Sequence, residues 1–347
     1  MIQSNDPGID AFFDIVSLGL WLRHLGPAAA RTGQMVFFDL YKLANDRSGM
    51  PGIYVERRVR GSVDEVWRLT QTPEVHQRWD LRFTEIRYLP RIEGEPQRFL
   101  YATRLIPGIE VTGTGESVGE RVGADGTASS ALKFASGNWW SLIREGSGYW
   151  RYVPVADGVR FLTWYDYEVR FGGLGRAVDA AAFRPLIGWA TAWSFDRLAL
   201  WVEDGQAPEV SMMAAVVYAV ARLTIASVWI WHGLVPKLLF HAIDESRMLA
   251  EAGLPLAVLP WFGWAEILFG TAMVVGWRWR WMFVVTIVLM VAALVGVAAC
   301  SPEYLTAAFN PVTLNTCMIA LAVVGLAVAK RVPTAARCLR KKPKEDA

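Results

Sequence analysis

Two hydrophobic patterns follow one another along this chain. From residue 53 to about residue 171, apolar and polar positions alternate, the period of half-buried strands. Ile53, Val55 and Val59 alternate with Tyr54, Glu56, Arg58 and Arg60. Further strands are predicted at about 83–89, 98–105, 110–118, 131–135, 143–153 and 159–171. In the last of these, Val159, Phe161, Thr163, Tyr165, Tyr167 and Val169 share one face, and Arg160, Asp166, Glu168 and Arg170 share the other. That is the pattern of an antiparallel sheet with one covered face. Between the first two strands, Ser62-Val-Asp-Glu65 forms a capping box that starts a short helix buried through Val66, Trp67 and Leu69. Thr72-Pro73-Glu74 opens a second helical turn ending at Trp79-Asp80. Residues 175–204 read as a long helix with Val178, Leu186, Trp189, Ala190 and Trp193 on one stripe, kinked or divided at Pro185. One strand, two short helices, six more strands and a long helix make an α+β arrangement.

After residue 210 the alternation stops and four long apolar runs follow, at about 214–235, 255–276, 281–300 and 311–329. Each has the roughly 20-residue length of a bilayer crossing. Upstream of the first strand, the apolar run 15–22 follows Asp6, Asp10 and Asp14 with nothing basic before it. It reads as an amphipathic helix continuing toward Asn45 rather than an export signal.

Composition sharpens this division. The chain has 347 residues, 53% apolar and 20% charged, with a mean hydropathy of +0.26. Residues 1–210 carry 23 Lys/Arg and 26 Asp/Glu, whereas residues 211–347 carry 12 and 7. A soluble-type front half is therefore joined to a membrane-type back half, which excludes a single soluble enzyme domain and excludes disorder. The net charge of +2 gives no reason to expect nucleic acid. Cys300, Cys317 and Cys338 form no metal or disulfide spacing, so neither a metal nor a cofactor is expected. No P-loop, dinucleotide fingerprint or nucleophile triad is present in a supporting context.

Basic residues orient the spans. Arg278 and Arg280 between spans two and three join Lys330, Arg331, Arg337, Arg340, Lys341, Lys342 and Lys344 after span four, nine on one side. The other side has Lys237 and Arg247 among four acidic residues. The positive-inside rule then predicts a multi-pass protein of the cell inner membrane with both termini cytoplasmic. Arg222 and Glu266 interrupt spans one and two, and an intramembrane charge needs a partner or a wet cavity. Antiparallel neighbouring spans are expected to pair the two, either as a proton or quinone-type site or as a structural ion pair. His232 is a further polar candidate, and Asn310, Thr313 and Asn315 either line the bundle or cap the fourth helix.

Two resemblances follow from quoted residues. Arg222-Leu-Thr-Ile, Trp229-Ile-Trp-His-Gly-Leu-Val-Pro-Lys237, Trp264-Ala-Glu-Ile-Leu-Phe-Gly270 and Asn310-Pro-Val-Thr-Leu-Asn315 resemble the DoxX-like family of four-helix membrane proteins over about residues 214–330. The resemblance implies a small bundle with the arginine and glutamate facing inward, and some relatives are associated with quinone-linked sulfur oxidation. Ser62-Val-Asp-Glu-Val-Trp67, Pro73 and Trp79 resemble the SRPBCC (START-like, polyketide-cyclase-like) superfamily over about residues 52–204. That implies a helix-grip fold, an antiparallel sheet around a long C-terminal helix enclosing an apolar cavity. Its lining would be Tyr101, Thr103, Phe161, Tyr165, Tyr167, Trp189 and Trp193.

The expected organisation is an N-terminal helical segment (1–50), a START-like domain (51–206), an all-α four-helix transmembrane bundle (211–332) and a basic cytoplasmic tail (333–347). The leading functional expectation is non-enzymatic binding of a hydrophobic small molecule or lipid in the front domain. Membrane lipids and a membrane partner protein are the other expected contacts. The alternatives are a membrane subunit of a quinone-linked oxidoreductase and a cyclase-like enzyme acting in the soluble cavity.

Overall fold

The computed structural model describes residues 52–92, 95–106 and 108–343. The N-terminal helical segment expected over 1–50 lies outside these residues. The described residues divide into two compact units, one formed by residues 52–208 together with 333–343, the other by Glu209–Val332. Residues 333–343 of the expected tail group with the first unit.

The first unit is built on a seven-stranded sheet. Its strands are β1 (Ile53–Val59), β2 (Glu85–Tyr88), β3 (Arg98–Ile106), β4 (Ile109–Val122), β5 (Ala128–Ala135), β6 (Ile143–Val155) and β7 (Gly158–Val169). The order is β1-β7-β6-β5-β4-β3-β2, antiparallel throughout. Helix α1 (Val63–Gln71) starts where expected, with the Ser62 hydroxyl accepting from the Glu65 amide at 3.1 Å. Helix α2 (Pro73–Trp79) follows with Pro73 in its first turn, where a missing N–H costs nothing.

The long C-terminal helix comes in pieces. Helix α3 (Gly172–Val178) passes through a π-helical turn (Asp179–Phe183) into α4 (Arg184–Asp204), so Pro185 sits in the first turn of α4. The sheet grips α4: Phe195 stacks on Phe161 of β7 at 4.3 Å between ring centroids, and the Thr191 and Tyr165 hydroxyls meet at 2.8 Å. The expected apolar stripe of α4 is split, with Trp193 buried and its earlier members turned outward. Leu186 is 60% exposed and Trp189 41%, while Gly188, Thr191, Ser194 and Asp196 are buried.

After span four the chain returns to this unit. Leu339 exchanges two backbone hydrogen bonds with Glu56 of β1, each 2.9 Å. The buried Asp196 carboxylate accepts from the Thr334 amide at 2.8 Å, from Arg337 at 3.1 Å and from Arg57 at 3.3 Å. The Cys338 thiol donates to the Ala192 carbonyl, and its burial pushes the thiol pKa up to about 12.

The second unit contains four helical segments long and apolar enough to span a membrane. The first is α5 (Pro208–His232) continued by a π-helical stretch (Gly233–Leu239). A short helix α6 (Ile243–Glu251) leads to α7 (Leu259–Val275), α8 (Trp281–Cys300) and α9 (Pro311–Val328). Helices α5 and α7 pack antiparallel through glycines. A methyl group built on Gly233 would lie 2.3 Å from the Gly263 carbonyl oxygen, and one on Gly270 would lie 2.7 Å from that of Ala226.

Candidate functional site

Polar chemistry gathers in three places. The first is the interior of the grip. Phe161 is enclosed between Phe195 and Tyr152, with the Tyr152 centroid 5.0 Å away. The Tyr165 hydroxyl meets Thr191, and the Tyr167 hydroxyl donates to buried Asp179 at 2.7 Å. Thr103 donates to the Arg82 carbonyl at 2.5 Å, and Tyr101 donates to the Ala135 carbonyl at 3.4 Å. Trp193 is buried, whereas Trp189 is the most exposed of the seven candidate lining residues. Five of the seven are thus turned onto neighbouring protein groups.

Alongside them lies a charged cluster absent from the sequence-based candidates. The Asp80 carboxylate is fully buried. It accepts two bonds from the Arg82 guanidinium, at 3.0 and 2.7 Å, and one from the Arg82 amide at 3.0 Å, and stands 2.9 Å from His76 Nε2. Burial opposes its charge, but the Arg82 guanidinium and the His76 hydrogen bond hold it well below the usual carboxylate range. Burial also lowers the pKa of the His76 imidazole, against the pull of Asp80. Neutral His76 then donates Nε2–H to Asp80, its ring flanked by Trp79, Phe83 and Trp150 at 4.9–5.3 Å. Its signal was the i,i+4 spacing of His76 on α2 and Asp80 just past its end, with Arg82 two residues further on.

The second place is the end of the bundle that carries Arg278 and Arg280. Arg222 is fully buried, and it does not meet Glu266. Its Nε donates to the Met273 carbonyl and Nη2 to the Gly276 carbonyl, both at 2.5 Å, and Nη1 donates to the Tyr218 hydroxyl at 2.8 Å. The guanidinium also lies 5.3–5.9 Å from the ring centroids of Tyr218, Trp277 and Phe283. Met273 and Gly276 close α7, whose last carbonyls have no intrahelical partner. Arg222 is therefore the cap of α7, its charge set against the negative end of the helix dipole. Glu266 is seven residues before Met273, about 10 Å along α7 at 1.5 Å per residue, which puts it beyond the reach of Arg222.

The third place lies farther along α5. Lys237 Nζ stands 3.1 Å from Glu266 and 3.2 Å from Glu245. The expected pairing of Arg222 with Glu266 is thus replaced by Lys237 with Glu266. Asn310 caps α9 by accepting from the Thr313 amide at 2.9 Å, and buried Asn315 donates to the Met290 carbonyl of α8 at 3.4 Å. A groove of about 480 Å³ runs between α5 and α9, lined by Leu223, Thr224, Ser227, Val228, Trp231, His232 and Leu314. Thr224, Ser227, Trp231 and His232 recur at helical spacing on one face of α5. The side chains of Thr224, Ser227 and His232 make no hydrogen bond to any described residue. The groove is open, with Thr224, Ser227 and Trp231 exposed along it.

Comparison with known proteins covers both halves. The soluble part is similar in fold to the protein TTHA0849 from Thermus thermophilus, at 18% identity over 39% of this chain and 86% of that one, with a TM-score of 0.31. It is likewise similar to a STAR-related lipid transfer protein from Xanthomonas axonopodis, at 16% identity over 40% of this chain and 82% of that one, with a TM-score of 0.30. Residues 226–323 match the DoxX-like family. The uncharacterized membrane protein YndG of Bacillus subtilis is 43% identical over 208 residues, covering 60% of this chain and 75% of that protein. The chain belongs to the family of that membrane protein, and it carries a DoxX-like domain in its membrane half.

Proposed function

We propose that this protein binds a small lipid-soluble molecule in the groove between α5 and α9. The supporting observation is the set of three hydrogen-bonding side chains, Thr224, Ser227 and His232, left without protein partners on an otherwise apolar groove. In hydrocarbon no water satisfies such groups, and an unmade bond costs free energy. A ligand with an apolar body and one or two hydrogen-bonding oxygens satisfies them. It enters laterally from the bilayer and needs no covalent chemistry.

A second reading keeps the ligand in the grip, lined by Tyr101, Thr103, Phe161, Tyr165, Tyr167, Trp189 and Trp193. The buried Asp80–Arg82 pair favours it, because an ionic group facing an aromatic interior offers a polar anchor. Binding there requires the Phe161–Phe195 stack and the Tyr165–Thr191 bond to part, so the groove is the better site.

The test is mass spectrometry of small molecules that co-purify with the full chain in mild detergent. Ser227→Phe, which fills the groove, and His232→Leu are expected to lower the amount of a defined species at least about 10-fold, the worth of one or two hydrogen bonds. Tyr165→Phe is expected to leave it unchanged. The opposite pattern moves the site to the grip, and an isoprenoid quinone as the recovered species supports the redox alternative.

A further inference from the structure

Helix α6 sits at the end of the bundle where span one gives way to span two. Apolar burial does not hold it there: none of its nine described residues is buried, and Ile243 is 82% exposed. What ties it down is polar. Among the described residues, every hydrogen bond or ion pair from its side chains to the rest of the bundle includes a carboxylate. Asp244 accepts from the Tyr304 hydroxyl at 3.1 Å, and Glu245 stands 3.2 Å from Lys237 Nζ. Arg247 holds Glu251 at 2.9 Å within the helix and reaches Glu303 at 3.2 Å. Glu251 also accepts from the hydroxyl of buried Ser301. Asp244, Arg247 and Glu251 thus grip the stretch 301–304 after α8, and Glu245 meets Lys237.

That last contact joins the helix to the Lys237–Glu266 pair. Lys237 is only 8% exposed and has a carboxylate from α7 and another from α6. Because two carboxylates share one ammonium, Glu245 can leave without orphaning a buried charge, which would be costly. Carboxylates in water take up a proton around pH 4, and protonation removes the charge on which these contacts depend. The Ser301 hydroxyl and Arg247 hold the Glu251 carboxyl below the usual carboxylate range. A carboxyl lowered in this way stabilises the closed arrangement above its ordinary pKa and loses that contribution as pH falls through the lowered value. The other titratable groups around α6 are His232, Lys237, Glu266 and Tyr304, with exposed His241 just before the helix. None of these keeps a negative charge in acid.

We propose that α6 is an acid-released lid over the Lys237–Glu266 pair, latched by Asp244, Glu245, Glu251 and Glu303. At neutral pH the latch shields the pair, and protonation of the latch opens the pair to water. The device is independent of whether the groove between α5 and α9 holds a ligand.

The test uses the purified full chain in detergent, with Cys300, Cys317 and Cys338 replaced by serine. Spin labels at Ala250→Cys and Ala308→Cys, both exposed, report the distance between α6 and the stretch it grips. Labels at Val291→Cys on α8 and Val323→Cys on α9 are the reference pair. Between about pH 7.5 and about pH 3.5 the first distance distribution is expected to widen at least about two-fold, with the reference unchanged. Glu251→Gln combined with Glu303→Gln imitates the protonated latch at neutral pH. It is expected to speed acetylation of Lys237 by a water-soluble ester at least about five-fold relative to exposed Lys330. A lid distance that ignores pH overturns the proposal, as does equal widening of the reference pair, the mark of general unfolding. An unchanged Lys237 rate in the double variant overturns it too.

Discussion

At the scale of single residues, the charges in the membrane half show what a sequence reveals and what it hides. That Arg222 and Glu266 needed partners was legible, because each interrupts an apolar run. Their partners were not, because pairing depends on helix register, and the glycine contacts that set it involve residues with no side chain. Arg222 satisfies backbone carbonyls, which carry no sequence signature at all. The ion cluster around Asp80 had a signal in the spacing of His76, Asp80 and Arg82, but its burial depends on the sheet that returns over it. Arg222→Leu is expected to cost several kcal/mol, since the Met273 and Gly276 carbonyls and the Tyr218 hydroxyl lose a donor together. Glu266→Gln acts on the separate Lys237 pair, so the two losses are expected to add within about 0.5 kcal/mol in the double variant. Thermal unfolding in detergent of the two single variants and the double variant checks this. A coupling of about 1 kcal/mol or more would contradict the assignment of separate partners.

At the scale of elements, strands were easier to read than helix faces. Alternation located all seven strands within a few residues because period 2 survives whatever covers the sheet. On β7, however, Leu162 and Trp164 on the second face are as buried as Phe161 and Tyr165 on the first, so alternation alone does not say which face meets α4. Helix α4 departs from its expected stripe for a similar reason. From Thr191 to Leu200 it is buried all round, with Thr191, Ser194 and Asp196 among Trp193, Phe195 and Leu198, while Leu186 and Trp189 nearer its N-terminal end face outward. The α5–α7 seam offers a quantitative check on element packing. Gly233→Ala places a methyl against the Gly263 backbone, where neither helix can yield without the other shifting. It is expected to destabilise the bundle by about 1–3 kcal/mol and to lengthen the Lys237–Glu266 contact. Gly296→Ala on α8 meets nothing within 4 Å and is expected to be neutral or slightly stabilising. Equal melting temperatures for the two variants would show that the seam does not pack in this register.

At the scale of the whole molecule, the tail decides what hydropathy alone leaves open. Residues 334–339 bind into the same unit as β1 and α4, the unit whose last helix is followed by span one. We propose that this unit is cytoplasmic, because nine basic residues flank the spans in the loop between spans two and three and after span four, where the positive-inside rule expects them. Single cysteines at Ser62→Cys and Ala347→Cys, with the native cysteines removed, are therefore expected to escape a membrane-impermeant maleimide in intact cells and to react after permeabilisation. The native Cys338 supplies an independent readout of docking. Its thiol is buried against Ala192 and its pKa is raised to about 12, so it is expected to alkylate slowly even in permeabilised cells. Asp196→Asn weakens the grip on Arg337 and on the Thr334 amide together, and is expected to raise the alkylation rate of Cys338 at least several-fold. Labelling of either engineered cysteine from outside would reverse the orientation. A Cys338 that reacts as fast in the parent as in the Asp196 variant would mean that the tail does not hold its place on the soluble unit.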